Sequence, residues 1–157
     1  MTKVSDRLNR LAESATLAMA RMSRELQEQG HDVIALSLGE PDFDTPEFIK
    51  EAAKKAIDDN FSHYTPVPGL PELRSAIVQK FKRDNNLEYT ADQIVTSTGA
   101  KQSLANVCLS LLNPGDEVIL PSPYWVSYTE IIKLSEGVPV AVPSTIATDF
   151  KVTPEEL

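Results

Sequence analysis

Apolar residues in this chain follow two alternating patterns. Short continuous runs at residues 33–38, 94–98, 117–120 and 138–142 have the length and composition of buried strands, and each is bounded by glycine, proline or a polar turn. Between them, apolar residues recur at helical spacing. The pattern predicts a short helix over 6–12, an interruption at Ser14-Ala15-Thr16, and a helix over 17–29 stopped by Gly30. Thr45 stands where it could cap a third helix, with Pro46 at its first position. That helix runs through Asp58, and Phe48, Ile49, Ala52, Ala53, Ala56 and Ile57 form a face read as core packing. Residues 63–71 form a rigid loop, because Pro66, Pro68 and Pro71 fix φ and remove donors. A helix over 72–83 then presents Leu73, Ile77, Val78 and Phe81 as its buried stripe. Helices over 100–112 and about 124–134 complete the alternation. Strands alternating with helices predict an α/β fold with a parallel sheet covered on both faces, and ligands near the carboxyl ends of the strands.

Three loops fit that last description: those after Leu38, Thr98 and Leu120. The second is the most informative. Ile94-Val95-Thr96-Ser97-Thr98 stops at Gly99 and passes directly into a helix beginning Ala100-Lys101-Gln102. The first turn of a helix has N–H groups without intrahelical partners and carries roughly +0.5 of an elementary charge. A glycine there lets a ligand approach the main chain closely. The junction therefore suits an anion such as a phosphate, although any strand-to-helix glycine turn shares the pattern.

Composition narrows the partners. The chain has 157 residues, 41% of them hydrophobic, enough for one sizeable core at about the usual size of a single domain. A formal net charge of -8 with no basic cluster argues against nucleic acid or an anionic membrane surface, and favours small molecules or proteins. The single cysteine, Cys108, lies in an apolar run and reads as a buried, inert thiol; no disulfide can form within one chain. The apolar stretches are too short to span a bilayer and the polar N-terminus lacks a signal-peptide core, so the expected location is cytoplasmic.

Four segments in order and spacing resemble one family: Leu38 to Pro46, Tyr64 to Arg74, Thr98 to Gln102, and Pro121-Ser122-Pro123-Tyr124-Trp125-Val126-Ser127-Tyr128. These resemble the class I/II aminotransferases, which depend on pyridoxal 5′-phosphate and have the aspartate aminotransferase fold, known as fold type I. The resemblance implies a three-layer, mostly parallel large domain that is incomplete here. By it, residues 1–45 form an N-terminal arm and small-domain segment, and 46–157 the first part of the coenzyme-binding large domain. It also implies that the chain is the N-terminal portion of a longer, homodimeric enzyme.

The resemblance carries roles to matching positions. Gly39 matches the glycine whose backbone meets the substrate near its α-carboxylate; otherwise it is a strand-ending turn. Gly99, Ala100 and Lys101 match the segment around the coenzyme phosphate. Trp125 matches the aromatic that covers the pyridine ring and lines the substrate pocket, and an electron-rich indole suits a cationic heteroaromatic face; core filler is the plain alternative. Tyr64 matches a tyrosine that reaches the phosphate of the neighbouring subunit, or else is a packed loop residue. Relatives that favour acidic substrates place a segment like Ser14-Ala15-Thr16 and a lysine like Lys101 around the distal carboxylate, and an ammonium plus a hydroxyl distinguishes a dicarboxylate from a neutral amino acid. A solvent-facing role is the alternative for Lys101. Ser14, Thr16, Gly39, Lys101 and Trp125 are thus the expected substrate-binding residues, with aspartate and 2-oxoglutarate as the substrates. Relatives that accept prephenate carry a lysine where this chain has Ala12, which argues against prephenate.

The lysine that bonds the coenzyme aldehyde, the aspartate facing its ring nitrogen and the arginine that clamps the α-carboxylate have no match here, so these residues alone are expected to be catalytically silent. Two other readings are open. One is a non-catalytic module binding a phosphate ligand or a protein, and the other is a carbon–sulfur lyase of the same fold.

Overall fold

The computed structural model describes residues 3–157. Two compact units can be distinguished: one comprising residues through Gly39 together with Thr98–Leu157, the other Glu40–Ser97.

The first unit opens with α1 (Asp6–Asn9), whose N-terminus is capped by Ser5, and α2 (Ala15–Glu28). Ser14 caps α2, its hydroxyl accepting from the Leu17 N–H at 3.5 Å, and Gly30, at φ +89°, follows the last turn. The predicted interruption at Ser14 is therefore a helix start, since a serine hydroxyl supplies the acceptor that the first turn lacks. The predicted strand over 33–38 does not form. These residues are irregular, with Ile34 83% and Leu36 89% exposed, because no ladder partner for them exists among the described residues and an apolar run without one has nothing to bond.

After α5 (Ala100–Leu111) comes the best-buried part of the molecule. Strand β1 (Glu117–Pro121), helix α6 (Ser127–Leu134) and strand β2 (Val138–Val142) form a parallel pair joined by a crossing helix, with Glu117 opposite Val138 and Pro121 opposite Val142. Leu120, Val142 and Ile132 are buried between them. Gly137 turns α6 into β2 at close quarters: a Cβ there would lie 2.9 Å from Leu112 Cδ1 and 3.1 Å from Ile132 Cγ2. The Ser122–Pro123 peptide is cis. Helix α6 begins three residues later than predicted, since Tyr124 to Val126 continue the loop.

The second unit contains α3 (Glu47–Asp58) and α4 (Pro71–Asn85). Pro46, not Thr45, takes the capping position of α3, and no side chain caps it. Its apolar face is not core: Phe48 is 75% and Ile57 77% exposed. The stripe of α4 is only partly covered, with Leu73 exposed and Ile77, Val78 and Phe81 half-buried. Phe81 meets Tyr89 edge-to-face at 5.9 Å, and the Arg74 guanidinium donates to the Ala91 carbonyl at 2.9 Å. Ile94 is buried as expected, but the strand predicted over 94–98 is irregular apart from a 3-10 turn just before it (Ala91–Gln93). The bonds that tie it down run instead to the proline loop, Thr96 donating its N–H and hydroxyl to the Pro68 carbonyl at 3.0 and 3.2 Å. Gly69, at φ +104°, packs on Thr96 so closely that no side chain fits.

Candidate active site

Helix α5 begins at Gly99 with φ +85°, a left-handed conformation that favours glycine. No side chain caps this start, and a Cβ added at Gly99 would meet nothing within 4 Å. The Gln102 and Ser103 N–H groups turn back to the Gly99 carbonyl at 3.2 and 3.3 Å, while the Gln102 carboxamide oxygen accepts from the Thr98 N–H. Those of Ala100 and Lys101 find no acceptor among the described residues. Open space, two free donors and the positive end of a three-turn helix suit a phosphate.

Lys101 brings a second group to this place. Its ammonium lies over the Trp125 indole, 5.1 Å from the ring centroid. The indole is 41% exposed in these residues and offers its electron-rich face to that cation. Trp125 is held by the loop between β1 and α6, where it joins Leu104, Cys108, Tyr124 and Tyr128 around an apolar cavity of about 550 Å³. Cys108 is half-buried in that wall, so the expectation of a fully buried thiol is corrected: the described residues leave the inner face of α5 partly uncovered.

A second cavity of about 630 Å³ is lined by the arm and by α5 and α6, including Ala12, Ser14, Lys101, Tyr124 and Glu130. Two expected residues that lie 87 positions apart in the chain, Ser14 and Lys101, thus meet on one cavity. Thr16 lies in the first turn of α2 and Gly39 in an open stretch; neither lines either cavity. Tyr64, in the second unit, is fully exposed on its loop.

Glu130 was not anticipated. Its carboxylate accepts from the Lys133 ammonium at 2.8 Å, the Ala12 N–H at 2.9 Å and the Thr129 hydroxyl at 3.5 Å. The Lys133 hydrogen bond, aided by Ala12, holds its pKa below the ordinary glutamate value against the opposing effect of partial burial. In the sequence, Glu130 and Lys133 look like an ordinary solvated i, i+3 pair, and nothing marks the distant Ala12 as a partner.

Comparison with known proteins adds to this geometry. Residues 31–157 match the family model described as aminotransferase class I and II. The chain belongs to that family. It is 52% identical over its whole length to an aspartate/prephenate aminotransferase of Cereibacter sphaeroides, and 48% identical over 155 residues to an aspartate aminotransferase of Geobacillus stearothermophilus. Each match covers 39% of the relative, so the chain spans about two fifths of the length of these proteins. Among solved structures, the aspartate aminotransferase of Rhizobium meliloti superposes with a TM-score of 0.95 at 42% identity, covering 99% of this chain and 39% of that one. The Thermus thermophilus aspartate aminotransferase with maleate gives 0.92 at 44% identity, covering 99% and 41%. The fold is therefore part of the fold type I architecture of pyridoxal-phosphate-dependent transferases, here with a two-stranded parallel sheet. Members of the family use pyridoxal phosphate. These matches do not favour a non-catalytic module or a carbon–sulfur lyase. No described helix is long and apolar enough to cross a membrane.

Proposed function

We propose that these residues form the phosphate-binding and substrate-facing part of a pyridoxal 5′-phosphate-dependent aminotransferase that moves an amino group between aspartate and 2-oxoglutarate. The observation that carries the reading is the uncapped, open start of α5 at Gly99, with Lys101 and Trp125 beside it. When bound, the coenzyme supplies an electron sink for the carbon that bears the amino group. The Ala100 and Lys101 N–H groups hold its phosphate, and Trp125 covers its ring. Ser14, Thr16 and Lys101 receive the distal carboxylate of the substrate. Gly39 leaves the backbone open to the α-carboxylate. Tyr64, on its exposed loop, reaches the phosphate site of a second subunit in a homodimer working in the cytoplasm. Residues 1–45 serve as arm and small-domain segment and 46–157 as part of the large domain. No position here matches the lysine that tethers the coenzyme and carries the proton, so no chemical step is assigned to this chain's own side chains.

The test is turnover by the complete gene product. Formation of oxaloacetate and glutamate from aspartate and 2-oxoglutarate is expected, and pyruvate from a β-substituted amino acid in place of it would contradict the reading. Several relatives are named aspartate/prephenate aminotransferases, so prephenate belongs in the same assay. The alanine at position 12 predicts that it is the poorer acceptor.

A further inference from the structure

Among the described residues, the arm carrying Ser14 follows the single turn of α1. Side chains of α6 and of the turn after it contact this arm. Glu130, whose side chain is 26% exposed, faces the Lys101 cavity and accepts the Ala12 N–H at 2.9 Å. Just past the end of α6, Glu136 pairs with Arg10 at 3.1 Å and with Arg7 at 3.8 Å. Surface ion pairs of this kind are individually worth little. The Ala12 contact differs because it is a charge-assisted bond to the main chain, so it fixes the path of the backbone and not merely a side chain. Ser14 lies two residues beyond Ala12, a tether of about 7 Å at full extension, and its hydroxyl is fixed from the other side as the cap of α2.

We propose that Glu130 is a positioning residue: by anchoring the main chain at Ala12 it sets Ser14 against Lys101 in the cavity and so tunes affinity for a substrate's distal carboxylate. Lys133 and Thr129 keep its carboxylate aimed at the arm. This rests on the proposed aspartate reading, and deepens it by giving the specificity pocket a support on α6.

The experiment compares Glu130→Ala and Glu130→Gln with the parent in the complete gene product. Glu130→Ala should raise KM for aspartate and the Kd of maleate, measured by calorimetry as a non-reacting dicarboxylate, about fivefold, while kcat stays within about twofold. Glu130→Gln keeps an oxygen for the Ala12 N–H and should recover most of the affinity. Unchanged KM and Kd in Glu130→Ala, or a fall in kcat with maleate affinity intact, would overturn the proposal. Tryptic cleavage after Arg10 reads the anchor without turnover: it should be faster in Glu130→Ala than in the parent, and equal rates would also overturn it. If the parent does not transaminate aspartate, the aspartate reading fails on its own, and the cleavage rates still decide whether Glu130 holds the arm.

Discussion

The β1–α6–β2 unit and residues 33–38 are built from similar material and reach opposite outcomes. Both are rich in valine, isoleucine, leucine and alanine. In the first, β2 lies parallel to β1 and α6 covers the pair, so that Ile132 is 2% exposed. In the second, Leu36 is 89% exposed and no ladder forms. The difference shows that a strand is a property of a pair. Apolar composition makes a segment able to be a strand, but only a neighbour's N–H and C=O groups and a covering face make it one.

Mutations at the two places test that contrast. Truncating Ile132 to alanine should cost about 2–5 kcal/mol, since it removes a buried branched side chain from between a helix and a sheet. Leu36→Ala in the 157-residue chain should stay within about 0.5 kcal/mol. Urea unfolding checks both. A core-sized loss at Leu36 in the complete gene product, absent from the 157-residue chain, would mean that its partner lies outside these residues. A smaller effect is expected at Gly137, where alanine would push against Leu112, Ile132 and the Asp116 carbonyl; the cost should be about 1–3 kcal/mol, again read by urea unfolding.

How much of this was legible in the sequence follows the same division. Helices were legible because their bonds are internal: α2, α5 and the body of α4 fall where the 3.6-residue spacing placed them. β2 was legible because its partner, β1, lies only a helix away. The strands expected at 33–38 and 94–98 were misread for lack of partners, and the burial expected on α3 failed because its apolar face has little packed against it. At the site, local chemistry was readable and distant pairing was not. The Gly99 start of α5 can be seen in a few letters. That Ser14 shares a cavity with Lys101 was implied only through family resemblance, and that Glu130 reaches the Ala12 main chain was not implied at all.

Substitutions at the site act on function where those above act on stability. Trp125→Ala in the complete gene product should weaken coenzyme binding by about 1 kcal/mol or more, measured by equilibrium titration of the coenzyme; an unchanged constant would remove the indole from the site. Lys101→Ala should cost aspartate about 1 kcal/mol more in kcat/KM than it costs a neutral aromatic amino acid. Equal losses would leave Lys101 as a solvent-facing lysine. The smallest effect is in pH. The Glu130 carboxyl sits below its ordinary pKa, chiefly through Lys133, so the support it gives the arm is complete above the ordinary glutamate range and is lost as pH falls through the depressed folded value. Proteolysis after Arg10 by an acid-active protease of matching specificity, or hydrogen exchange of the Ala12 amide, should rise on that acid side, and Glu130→Gln should abolish the change.

The start of α5 is the decisive place in the molecule, and one structure tests it. Crystals of the complete gene product grown with pyridoxal 5′-phosphate should show the phosphate on the Ala100 and Lys101 N–H groups, with the coenzyme ring against the Trp125 indole. A phosphate bound anywhere else, with the Gly99 turn facing only solvent, would contradict it.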